Sequence, residues 1–167
     1  MASLALTDVL ARLPPRDRLL LRSLFACALL ALALGVSFGF LTGLGRAGLL
    51  ELAPRAFYRL LTLHGVTIFF YWLSFAQAGF VLALAMAGVG AWTIRASGCA
   101  WAGLALMTSG LLASEIAPLA GAVLLYDASP GVAELESPAT GLFYLGYTLQ
   151  SLGLILVALA ALATALA

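Results

Sequence analysis

The chain has 167 residues, 64% of them hydrophobic and 9% charged, with a mean hydropathy of +1.13. Soluble domains carry about 25% charged residues, so this composition excludes a water-soluble fold and predicts an all-α membrane protein, because helices satisfy their own backbone groups in lipid. The net charge is only +1, and every basic residue is an arginine, which argues against nucleic acid as a partner.

Residues 1–22 hold Arg12, Arg16, Arg18 and Arg22 and are expected to form a cytoplasmic N-terminal segment. The apolar run that follows, about 23–44, is long enough to cross a bilayer. A signal peptide would have a shorter apolar core and a small-residue cleavage site, so this run is read as a retained first helix. Three more spans are predicted at about 58–86, 100–126 and 140–167. Glycine is frequent in all of them and permits close helix packing. Cys27 and Cys99 lack the spacing of a metal or redox pair and read as small packing residues.

Arginine placement orients the chain. Arg95 in the second connection sides with the basic N-terminus, and Asp127, Glu134 and Glu136 in the third connection suit the opposite side. Ser129-Pro130-Gly131 and Ser137-Pro138 mark turns in that third connection. The first connection would then lie outside, yet Arg46, Arg55 and Arg59 sit in or beside it. This local breach of the positive-inside rule is either accidental or points to an anionic partner at the outer surface.

The second span carries the one histidine, His64, in Leu61-Thr62-Leu63-His64-Gly65-Val66. An ionisable group inside a membrane helix is costly and is a functional candidate for that reason. Imidazole binds metals and haem iron, and Gly65 leaves room beside the ring for a flat macrocycle. Arg59 lies about 7.5 Å further along the helix axis, so a haem with its propionates outward would meet Arg59 or Arg55. The other reading of His64 is a hydrogen bond to a neighbouring helix. Thr62, Thr67, Ser74, Gln77, Thr108, Ser109 and Gln150 read as interhelical hydrogen-bonding groups, and Trp72, Trp92, Trp101 and Tyr126 as interface anchors. Glu115 is expected in mid-span in the third helix, near Pro118. It either serves proton movement or is held protonated by hydrogen bonds within the bundle.

The stretch Leu61 to Val66 resembles the second helix of subunit I of the haem–copper oxidases, where a Thr-Leu-His-Gly sequence supplies an axial histidine to the low-spin haem. Phe75-Ala76-Gln77-Ala78, Val123-Leu124-Leu125-Tyr126 before Pro130, and Phe143-Tyr144-Leu145-Gly146 are similar to the B-type branch. The resemblance runs from about Arg16 to Ala167 and implies the first third of the subunit I bundle. It implies a role in a terminal respiratory oxidase of the prokaryotic cytoplasmic membrane, reducing oxygen and translocating protons. His64 would bind the iron of a low-spin haem of b or a type, with Gly65 beside it and Arg55 and Arg59 as propionate partners. The remaining family ligands cannot be here, because His64 is the only histidine. A companion chain is therefore expected to carry the high-spin haem and copper, with a dicopper subunit II and a cytochrome c or similar electron donor as further partners. A nitric oxide reductase of the same superfamily and a haem-free assembly or structural membrane protein are the alternatives.

Overall fold

The computed structural model describes residues 13–90, 92–122 and 137–166. The expected features at Arg12, Val123 to Tyr126, the Ser129-Pro130-Gly131 turn, Asp127, Glu134 and Glu136 lie outside the described residues.

Proline opens three of the four long helices. These are α1 (Pro15–Arg46), α2 (Pro54–Val89) and α4 (Pro138–Ala165), and the fourth is α3 (Ser97–Ile116). Proline suits a first helical position, because its fixed φ is helical and the amide it lacks would have had no intrahelical acceptor. Ser137 caps α4 by accepting from the Thr140 amide at 3.1 Å. At its other end α2 stops on Gly90, left-handed at φ 64°. All four helices are long and apolar enough to cross a membrane. Even the 20-residue α3 spans about 30 Å, the thickness of the hydrocarbon layer. The protein is thus an all-helical membrane protein, with no strand among the described residues.

Two boundaries differ from those the apolar runs predict. Helix α1 begins at Pro15 and not near Ser23, so Arg16, Asp17, Arg18 and Arg22 belong to its first turns. Asp17 is buried there and accepts the Ile94 amide at 2.9 Å. Helix α3 ends at Ile116 and not near Tyr126. Pro118 has no amide to give the Ser114 carbonyl, and Gly121 turns the chain at φ 88°. Glu115 therefore stands in the last turn of α3 and not in mid-span.

The tightest pairing is between the antiparallel helices α3 and α4. Gly103 and Gly110 face Gly153 and Gly146, seven residues apart on each helix. A methyl group on Gly110 would stand 2.6 Å from the Gly146 carbonyl oxygen, and one on Gly153 would stand 2.5 Å from that of Gly103. Such contact is open only to residues without a side chain, and it lets dispersion replace the hydrophobic effect that lipid does not supply. Tyr71, Phe75, Leu82, Met107, Phe143 and Val157 fill the interior, while Leu29, Phe40 and Phe69 point outward as lipid requires. At one end the loop after α2 is tied to both termini of the bundle: Ile94 to Asp17, and the Arg95 amide to Thr164 Oγ1 at 3.0 Å. The start of α1 and the end of α4 thus share one side, as an even number of crossings demands.

Candidate functional site

Helix α1 carries Gly35, Gly39 and Gly43 at intervals of four, one above the other on a single face. The first two form a slot for α2. A side chain on Gly35 would meet Ile68 at 2.7 Å, and one on Gly39 would meet the His64 ring at 2.6 Å. Glycine in this pattern admits a neighbouring helix closely enough for its larger side chains to reach backbone.

His64 uses that closeness. Its Nδ1 lies 2.8 Å from the carbonyl oxygen of Gly35. A carbonyl only accepts, so Nδ1 carries the proton and donates. In the neutral ring the lone pair then sits on Nε2. Among the described residues Nε2 has no hydrogen-bond partner. The ring is half-buried, and Gly65 beside it has open space where a side chain would be. A ring oriented by a backbone carbonyl through one nitrogen and open at the other is the arrangement a metal-binding histidine needs.

Both arginines singled out with His64 lie on the same helix. Arg59 is half-buried, and its Nε is enclosed without a partner among the described residues. Arg55 is exposed and is engaged with another group. Arg59 precedes His64 by five residues and Arg55 by nine, which turns them about 140° and 180° around the helix from it. Arg59 shares its face with Thr62, Leu63 and Val66, the buried residues of this segment. The helix therefore does not stack either guanidinium above the imidazole.

Just beyond His64, Thr67–Trp72 widens into a π-helix, a rare form that recurs at functional positions. It turns Thr67 and Tyr71 into the bundle, where both are fully buried. Thr67 Oγ1 donates to Glu115 Oε1 at 2.7 Å, and the Tyr71 hydroxyl pairs with Ser114 and donates to the Gly110 carbonyl at 3.0 Å. With the Tyr71 proton on the Gly110 carbonyl, Ser114 gives its one proton to the Tyr71 oxygen, and its Oγ lies 3.3 Å from the Phe143 carbonyl. Glu115 is thus engaged with α2, and the cluster ties α2, α3 and α4 together at one level.

The other polar residues divide three ways. Thr62 and Thr108 donate to carbonyls of their own helices, whereas the Thr67 hydroxyl reaches a side chain on another helix. Gln150 is buried with neither amide atom partnered among the described residues, and Gln77 faces outward. Cys27 and Cys99 are both free thiols. Among the described residues no three His, Cys, Asp or Glu side chains gather as a metal cage.

The glycine slot was missed by residue-level reasoning centred on His64, although the four-residue spacing of Gly35, Gly39 and Gly43 is the signal for it. No protein-family model, curated protein or solved structure matches this chain.

Proposed function

We propose that the chain is the N-terminal part of the catalytic subunit of a B-type haem–copper terminal oxidase, and that His64 Nε2 would bind the iron of its low-spin haem. The observation that carries this reading is the 2.8 Å bond from His64 Nδ1 to the Gly35 carbonyl. It selects the tautomer whose free nitrogen can bind iron, and it makes that nitrogen a stronger donor.

The residues present fit the group. His64 supplies the ligand, Gly65 gives the macrocycle open space, and Gly35 and Gly39 hold the ring at a fixed angle. A haem bound there would supply reversible one-electron exchange, with a potential set by its ligands and burial. The chain's own work is to orient the imidazole and to keep water away with the apolar walls of α1 and α2. Arg59 and Arg55 project about 140° and 180° around α2 from His64, so neither is assigned as a propionate partner of a haem bound at Nε2. The high-spin haem, the copper and their ligands belong to a companion chain in the same prokaryotic cytoplasmic membrane. There the basic start of α1 faces the cytoplasm, and the dicopper subunit and cytochrome c approach from outside.

The composition of the complex purified from native membranes tests this. A companion polypeptide with further spans and the missing histidines, together with bound haem, is the expected result. Purification of the chain without haem and without such a companion contradicts it.

A further inference from the structure

His64 and Tyr71 stand seven residues apart on α2, yet they serve different neighbours. The His64 ring lies against Gly39 and donates to the Gly35 carbonyl of α1 at 2.8 Å. The Tyr71 hydroxyl bonds to the Gly110 carbonyl and to Ser114, both on α3. Seven residues of unbroken α-helix turn through about 700°, within about 20° of two full turns. Such a helix would carry both side chains on one face. That face belongs to α1 on either side of Tyr71, because Gly39 abuts His64, Gly35 abuts Ile68 and Phe25 abuts Gly79. Tyr71 would then be turned toward α1 and away from its partners on α3.

The π-helix at Thr67–Trp72 accounts for the difference. The Leu73 amide reaches back five residues to the Ile68 carbonyl, so the segment holds one residue more than an α-helix of the same height. The extra residue takes about 100° out of the count and swings Tyr71 from the α1 side to the α3 side. Three bonds to α3 hold the segment in this form: Thr67 to Glu115 at 2.7 Å, Tyr71 to Gly110 at 3.0 Å, and Ser114 to Tyr71. Thr67 and Tyr71 are fully buried, so no solvent competes for their hydroxyls.

We infer that Thr67 and Tyr71 are positioning residues for His64, acting through the π turn between them. Without their hydroxyls nothing ties the extra residue in place. Rewinding to α turns the part of α2 before Thr67 by about 100° against the part after Trp72. His64 turns with it, and Nδ1 leaves the Gly35 carbonyl. Gly35 and Gly39 form the socket for the ring, and the π turn sets the angle at which the ring enters it. The inference deepens the reading of His64 as an iron ligand, since the free Nε2 lone pair follows from the Nδ1 bond. That bond lies within this chain, and the test reads it without haem.

The test uses the full chain in lipid bilayers, labelled with nitrogen-15 histidine and purified without a histidine tag. Its single histidine then gives one pair of ring-nitrogen signals in solid-state NMR. The wild type is expected to carry the ring proton on Nδ1. Thr67→Val combined with Tyr71→Phe keeps both shapes and removes the three bonds to α3. Losing three interhelical bonds shifts a two-state equilibrium by roughly tenfold or more. The ratio of Nδ1-protonated to Nε2-protonated ring should fall by that factor. Deleting Phe69 from the double variant takes out the extra residue, leaves a plain α-helix and should restore the Nδ1 signal. Phe69 is 70% exposed to lipid, so its deletion removes no packed side chain. A double variant that keeps the wild-type ratio overturns the inference. So does a double variant whose Nδ1 signal the deletion fails to restore, because shortening α2 does not mend a bundle that is merely loosened.

Discussion

A methyl group on Gly39 of α1 would stand 2.6 Å from Nδ1 of His64 on α2. The two helices meet at this level only because residue 39 has no side chain, and the imidazole is wedged between that glycine and the Gly35 carbonyl. Gly39→Ala is expected to push the ring off its acceptor and to cost about 1–3 kcal/mol, as overpacking does. Gly43→Ala meets nothing within 4 Å and should be neutral or slightly stabilising, since alanine is the better helix former. Reversible unfolding in mixed micelles separates the two.

The α3–α4 contact predicts a second such contrast. A side chain on Gly110 would press on the Gly146 carbonyl oxygen and the Gln150 amide nitrogen, both backbone atoms that cannot turn aside. Gly110→Ala should therefore cost about 1–3 kcal/mol. Gly141→Ala, with open space around it, should not destabilise. Equal effects from the two variants would mean that close backbone approach is not what holds this pair.

Thr67 and Glu115 predict a smaller effect. Thr67→Val keeps the shape of the side chain but removes the donor to Glu115 Oε1. Interhelical hydrogen bonds in membranes contribute about 0.6–2 kcal/mol, and that is the expected loss in the same unfolding assay. Thr67→Ser keeps the hydroxyl and should recover most of it.

Ala96 lies at φ 51°, in the left-handed region that alanine disfavours. The bonds from Ile94 to Asp17 and from Arg95 to Thr164 hold the loop in that shape. Ala96→Gly relieves the strain and should stabilise the chain by up to about 1 kcal/mol. A loss of stability would show that the loop is not strained there.

Hydropathy made the four spans legible, because lipid selects composition over lengths of about 20 residues. It misplaced the ends for physical reasons. Helical hydrogen bonding in α1 continues beyond the apolar run through Arg16, Asp17 and Arg18. In α3 the α-helix stops while the sequence stays apolar, since Pro118 interrupts bonding without changing hydropathy. His64 was legible as an ionisable group in a span. Its acceptor was not, because a carbonyl on Gly35, 29 residues away, has no signature in residue type. The phase of Arg55 and Arg59 relative to His64 could have been counted at about 100° per residue. The π-helix at Thr67–Trp72 could not, since nothing in Thr67-Ile68-Phe69-Phe70-Tyr71-Trp72 sets it apart from an ordinary apolar turn.

The most direct measurement is the optical spectrum of the complex purified from native membranes, compared between the wild type and His64→Ala. Low-spin haem absorbance is expected in the wild type, with its loss or strong displacement in the variant and helical content unchanged. A wild-type complex without haem, or a variant spectrum identical to that of the wild type, would contradict the assignment of His64 Nε2 as an iron ligand.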